Sequence, residues 1–260
     1  AVILNIEADH LDFFKDLEDV ESSFRAFADL VPEGGRIIAN RDDENTMHTL
    51  AGETRPVTTF GLEEGDVHAA GLTWSKGLPS FDIILRGERF AHVSLRVPGL
   101  HNVKNALAAA AAAAALGVSG EAVERGLGQF GGAGRRFEYK GSFRGAEIYD
   151  DYAHHPGELK ALLDAAHTLG YQRVICAFQP HTYTRTAALF DDFVEVLKQP
   201  DVALLAEIYA ARETNDIGIS SKDLAARIPG ARYCATLPEV TAALRELARP
   251  GDLILTLGAG

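Results

Sequence analysis

The stretch AEIYDDYAHHPGE, residues 146–158, decides the fold. Residues 146–149 read as a strand that runs into two carboxylates, a phenol and two imidazoles, and a helical pattern over 156–168 begins at Pro156. The same succession recurs downstream. A strand at 174–178 precedes a helix over 186–198, one at 202–206 precedes a helix over 221–228, and Tyr233 and Cys234 lie in a strand before a helix over 238–248. A last strand follows at 253–257. Strands alternating with helices of about 10–15 residues predict a parallel, doubly wound α/β sheet. In such sheets ligands bind outside the carboxyl ends of the strands. Polar segments fall there four times: 150–155, 179–185, 207–213 and the terminal Gly258-Ala-Gly.

Working back from this unit, GGAGRR at 131–136 is the best linker, and it predicts two domains, 1–133 and 134–260. The first is also α/β, with a strand at 2–4, a helix over 20–31 whose buried face carries Val20, Phe24, Phe27 and Leu30, and a strand at 36–39. Residues 66–97 alternate in short runs split by glycine turns, as in a small antiparallel sheet. A long alanine-rich helix follows Pro98-Gly99 and stops at Gly117, with Asn102 as a candidate N-cap, and a short helix runs from Ser119 to about Phe130.

Bulk properties exclude several classes. The chain of 260 residues is 47% hydrophobic and 24% charged, with mean hydropathy near zero, as in a soluble globular protein. Its net charge of −12 argues against a nucleic-acid surface, though a few cations and helix N-termini suffice for a nucleotide. No apolar run approaches the roughly 20 residues of a membrane span. Two cysteines, Cys176 and Cys234, lie in strand-like runs, which suggests neither a disulfide framework nor a zinc site and favours a reducing cytoplasm. AVILNIEADH begins inside an apolar strand and GDLILTLGAG stops at one, so both ends predict a piece of a longer enzyme.

Each polar motif admits more than one chemistry. In DDYAHHP, Asp150 or Asp151 could cap the helix; the adjacent His154 and His155 lack the i, i+4 spacing of a helical zinc pair; or a carboxylate could meet ribose hydroxyls beside an imidazole near an anionic group. FQPHTYTRT, 178–186, adds His181, Tyr183 and Arg185, and an arginine beside threonines at a helix start suits a carboxylate or phosphate. The arginines of RRFE, 135–138, are either solvated or able to reach a transferring phosphoryl group. HNVKNALAAA, 101–110, leaves Asn105 suited to an adenine edge. NIEADHLD, 5–12, gathers Glu7, Asp9, His10 and Asp12, either capping acids or a magnesium-phosphate neighbourhood.

Together, in order along the whole chain, NIEADHLD, HNVKNALAA, GAGRRFEYKG, DDYAHHPGE, FQPHTYTRT, EIYAARE and LTLGAG resemble the Mur ligases of bacterial cell-wall synthesis. The resemblance implies part of a central ATP-binding domain followed by a Rossmann-like amino-acid-binding domain. It implies an ATP- and Mg²⁺-dependent ligase that joins L-alanine to UDP-N-acetylmuramate through an acyl phosphate. By the same resemblance His10 is a Mg²⁺ ligand, Asn102 and Asn105 contact adenine, Arg136 reaches the ATP phosphates and Asp151 holds the ribose. Tyr152, His154, His181 and Arg185 surround the incoming amino acid, with His154 and Arg185 orienting its carboxylate and the acyl phosphate. Thr182 stands where the family can carry arginine, and His155 has no implied task beyond a structural one. Neither a P-loop nor a UDP-binding domain is present in these residues, so the chain alone is expected not to ligate. Three alternatives stand beside this: a related ligase that adds a tripeptide to the same UDP-sugar, a non-catalytic nucleotide-binding module, and a His-rich metallohydrolase.

Overall fold

The computed structural model describes residues 1–10 and 13–259. It divides into two compact units, Ala1–Gly131 and Gly132–Gly260, each α/β.

In the first unit β1 (Val2–Ile3), β2 (Ile37–Asn40), β3 (Val57–Gly61), β4 (Val67–Ser75), β5 (Leu78–Leu85) and β6 (Glu88–Ser94) form one sheet in that order. Pairing is parallel from β1 to β4 and antiparallel from β4 to β6, so the antiparallel ribbon continues the parallel sheet. The alternation of β-strand side chains splits the core. Ile37 and Ala39 face Val20, Phe24 and Ala28 of α1 (Leu17–Asp29), whereas Ile38, Phe60, Phe81 and Val93 face Val103, Leu107 and Ala110 of α3 (Leu100–Ala115). A short α2 (Glu44–Thr49) and a C-terminal α4 (Gly120–Gln129) complete the unit.

Three features here differ from expectation. The first helix starts earlier than its apolar spacing suggests, because Asp16 caps it by accepting from the Asp19 amide at 3.0 Å. Phe27 and Leu30, expected on its buried face, are 45% and 79% exposed. Asn102 does not cap α3. That place belongs to Gly99 at φ 96°, and Asn102 sits in the first turn with its amide donating to the Pro98 carbonyl at 2.7 Å.

The second unit holds β7 (Glu138–Phe143), β8 (Ala146–Asp151), β9 (Arg173–Phe178), β10 (Val202–Ala206), β11 (Arg232–Cys234) and β12 (Asp252–Leu257), ordered β11-β10-β9-β12-β8-β7. All pairs are parallel except the β7–β8 hairpin. On one face α5 (Pro156–His167), α7 (Phe190–Val196) and α8 (Ser221–Arg227) pack Leu159, Leu163, Phe193 and Leu224 on Val174, Cys176, Leu205 and Leu255. On the other, α9 (Leu237–Leu247) packs Val240 and Ala243 on Ala177, Leu204 and Cys234. The sheet is therefore doubly wound, with the insertion of β12 between β8 and β9 bringing their carboxyl ends together.

The edge strand β7 is not evident from the linker-like composition before it. The single helix expected over 186–198 is two, α6 (Tyr183–Ala188) and α7, broken at Leu189 with φ −110° and ψ 24°. Neither Asp150 nor Asp151 caps α5. Both belong to β8, and the N-cap is His155, whose Nδ1 accepts from the Gly157 amide at 3.3 Å while Glu158 accepts from the His155 amide.

Candidate active site

The carboxyl ends of β8, β9, β10 and β12 gather the polar residues of the second unit. Asp151 ends β8 and is only 6% exposed. One carboxylate oxygen accepts from the Phe137 amide at 2.7 Å and the other from the Ala153 amide at 2.8 Å. Burial pushes this carboxyl up, against the pull of those amides and of Arg136, while Glu158 adds to the rise. Tyr152, next in line, is partly exposed and stands edge-on to His154 with ring centres 5.3 Å apart.

His154 is positioned through one nitrogen. Its Nδ1 lies 2.9 Å from the Tyr152 carbonyl, which can only accept, so Nδ1 carries a proton and Nε2 is left as the second functional atom of the ring. Glu158 approaches the same Nδ1 at 3.4 Å, accepts from the His154 amide at 3.0 Å and lies 3.5 Å from Arg136. Burial alone would raise the Glu158 carboxyl. The His154 and His155 amides and the charges of His154 and Arg136 hold it below its ordinary value.

After β9, His181 faces His154 at 6.2 Å between ring centres and Tyr209 at 5.6 Å. The chain after β10 extends the parallel pairing here: Tyr209 donates to the Pro180 carbonyl at 2.8 Å and Thr182 donates to the Tyr209 carbonyl at 2.9 Å. Burial lowers the His181 imidazole, helped by the charges of Arg185 and His154 and opposed by Glu213. Arg185 reaches to 3.5 Å from His181. At the start of this helix Glu213 accepts from the Tyr183 and Thr184 amides at 2.6 and 3.0 Å and from the Thr184 hydroxyl.

Thus Arg136, Asp151, Tyr152, His154, His181 and Arg185 share one end of one sheet. Asn102, Asn105 and His10 belong to the first unit. Asn105 is exposed at the start of α3 and donates weakly to Asn102 at 3.4 Å. His10 lies beyond β1 at φ 55°, with its side chain 65% exposed and 3.7 Å from Asp9. Asp12 of the same motif lies outside the described residues. Among the described residues no group of three or more His, Cys, Asp or Glu is placed to hold a metal ion. Mg²⁺ commonly completes its shell with phosphate oxygens and water.

A second constellation in the first unit has the distances of a nucleophile relay: Ser80 Oγ lies 3.2 Å from His92 Nε2, and His92 Nδ1 2.7 Å from Asp82. Ser80 is mid-strand in β5, paired on both sides with β4 and β6, so its backbone amide is spent in the ladder rather than aimed at a developing oxyanion. We read it as a cross-strand polar network.

Comparison with known proteins agrees with the geometry. Residues 1–113 match the Mur ligase middle domain, and residues 135–260 match the domain described as Mur ligase, glutamate ligase domain. The chain belongs to the Mur ligase family. The UDP-N-acetylmuramate–L-alanine ligase of Caldanaerobacter subterraneus subsp. tengcongensis is 43% identical over 100% of this chain and 58% of its own length. The crystal structure of the UDP-N-acetylmuramate-alanine ligase from Thermotoga maritima superposes with a TM-score of 0.78 at 26% identity, over 100% of this chain and 56% of that one. A MurF ligase from Thermotoga maritima in complex with ADP shares the fold, with a TM-score of 0.77 at 16% identity over 99% of this chain and 58% of that one. The chain spans 58% of the length of the curated relatives it matches first.

Four further residues of this Mur ligase chain support these groups, though the family resemblance implies no role for them: Arg135, Glu158, Glu207 and Glu213. Glu158 had a local signal, since it stands at the third helical position behind a polar cap. Glu207 had none. It accepts from Tyr233 at 2.7 Å, Ser220 at 2.8 Å and the Ser221 amide at 3.1 Å, and so ties the end of β10 to α8 and β11.

Proposed function

We propose that this chain supplies nucleotide- and amino-acid-binding parts of an ATP-dependent ligase that joins L-alanine to UDP-N-acetylmuramate in the cytoplasm. The observation that carries the reading is the meeting of Arg136, Asp151, Tyr152, His154, His181 and Arg185 at one sheet end, in a chain 43% identical over its full length to an alanine-adding ligase. A carboxylate is a poor electrophile, and phosphorylation by ATP supplies the leaving group that makes amide formation favourable. The protein's task is then positioning and neutralising charge.

In this reading Asn105, with Asn102 behind it, offers its amide to the adenine edge, and Arg136 turns from Glu158 to the phosphates. Asp151 holds the ribose-side loop: its buried carboxylate fixes the turn before β7 and the Ala153 amide, leaving further lone pairs for a hydroxyl. His154, oriented by the Tyr152 carbonyl and Glu158, and Arg185, beside His181, take the carboxylate of alanine and the acyl phosphate. Thr182 brings no second cation to that loop, so Arg185 carries its positive charge. His10 contributes one ligand to Mg²⁺, which neutralises phosphate charge when bound.

The test uses the full-length gene product with ATP, UDP-N-acetylmuramate and labelled L-alanine. ADP and the labelled amide are expected in equal amounts, with no product from a tripeptide cosubstrate. Arg185→Ala is expected to raise KM for alanine by roughly 10-fold or more, the loss of a charge-assisted carboxylate contact. Tripeptide addition, or no alanine-dependent ADP release, overturns the reading.

A further inference from the structure

The two arginines of RRFE stand in different surroundings, and the one without an implied role is the better built. Arg136 is half-exposed, with the Glu158 carboxylate 3.5 Å away. Arg135 has Nε 3.0 Å from Asp150 Oδ2 and Nη2 2.7 Å from the Gly258 carbonyl, and its guanidinium lies 4.9 Å from the centre of the Tyr152 ring. Asp150 in turn accepts from the Thr256 hydroxyl at 2.8 Å. One planar fork thus bolts the end of β8 to the end of β12 and supports a side chain of the site from beneath.

The backbone of Arg135 is held as firmly. Its amide donates to Glu138 at 2.8 Å and its carbonyl accepts from the Tyr152 amide at 2.8 Å. Arg135 and Phe137 both adopt left-handed φ, 55° and 49°, a region that non-glycine residues avoid unless surrounding bonds enforce it. The Phe137 amide is fixed by Asp151. Arg136 is therefore launched from between two constrained residues, one bolted to Asp150 and Gly258 and the other to Asp151.

We propose that Arg135 is a positioning residue that sets where Arg136 stands, so that the hold of Arg136 on the transferring phosphoryl group depends on a side chain that never touches it. This rests on the reading of Arg136 as the phosphate-reaching arginine. The fork explains why arginine is required: an ammonium on a flexible stem reaches Asp150 or the Gly258 carbonyl but does not fix the plane under Tyr152.

The experiment is a kinetic double-mutant cycle on the full-length gene product with Arg135→Met, Arg135→Lys, Arg136→Ala, Asp150→Asn and the double variant R135M/R136A. Arg135→Met is expected to lower kcat roughly 10- to 100-fold, as small misplacements of catalytic groups do. KM for UDP-N-acetylmuramate should stay within about 3-fold. Arg135→Lys should restore little of the rate, and Asp150→Asn should shift kcat the same way. The double variant should be no more than about 3-fold slower than the slower single, because removing Arg136 leaves Arg135 nothing to position. If Arg135→Met does not fold, judged by circular dichroism, the Lys and Asn variants carry the same comparison against Arg136→Ala. A merely structural role would instead multiply the two losses, and that result, or full kcat in Arg135→Lys, overturns the proposal while leaving Arg136 in place. An unaffected Arg136→Ala variant overturns the reading of Arg136 and this inference with it.

Discussion

His181 shows how much one residue's chemistry depends on its neighbours. Burial, then the charges of Arg185 and His154, hold its imidazole below the ordinary value, and Glu213 pulls the other way. Between the two values the unfolded chain binds the proton more readily than the folded one. The contribution of His181 to stability is therefore present above about pH 6.5, the ordinary imidazole value, and is lost as pH falls from there through the lowered folded value. Glu213→Gln removes the opposing charge and keeps an acceptor for the helix amides, so it should lower the His181 value further. Proton–carbon NMR titration of the imidazole reads this directly, and a rise would contradict the assigned balance of charges. That Asp151, Tyr152, His154, His181 and Arg185 lie at the carboxyl edge of a parallel sheet was legible, because strand ends can be read from apolar runs and turn residues. The partners that orient them were not. Glu213 is 30 residues from Tyr183 and Gly258 is 123 from Arg135, separations at which no local pattern survives.

Among the elements, the contacts that join one strand end to the next are the least visible in the sequence. Gly258 follows β12 at φ 141°, and a Cβ there would lie 2.8 Å from the Gln179 carbonyl oxygen. Gly258→Ala should therefore cost about 1–3 kcal/mol through backbone conformation alone, read as a shift of the urea midpoint. Because β9 and β12 are register partners at that end, the His181 loop should move with it in NMR spectra. An unshifted midpoint would mean that the strand ends yield freely. The longer helices were legible from spacing, whereas the six-residue α2 was not read and one run is divided by tertiary packing. The break at Leu189 divides a run that reads as one helix, since Phe193, Val194 and Val196 of α7 join the core beside α5. The edge strand β7 was missed for a related reason: EYKGSF is polar and glycine-interrupted, and its strand form rests on the hairpin with β8 rather than on its own propensity.

The whole molecule is two compact units, each with its own core, and both thiols lie in the second. Burial pushes the Cys176 thiol up to about 12, and Cys234 is raised by burial too. A disulfide exchange reagent at pH 8 should leave both unlabelled in the native protein, since the thiolate is the nucleophile. Labelling should follow the unfolding of the second unit. Full labelling with the circular dichroism unchanged would show that this core opens locally.

The α/β class, the alternation of strands and helices in the second unit and the polar segments at its strand ends are local properties of the chain. These follow from hydrophobic period and turn chemistry, which act over a few residues. Only the tertiary structure decided that β12 enters between β8 and β9, that Glu213 fills a helix start and that Arg135 joins two strand ends under Tyr152. Those are bonds between groups far apart in the chain, and they exist only once the sheet has fixed the distance between them.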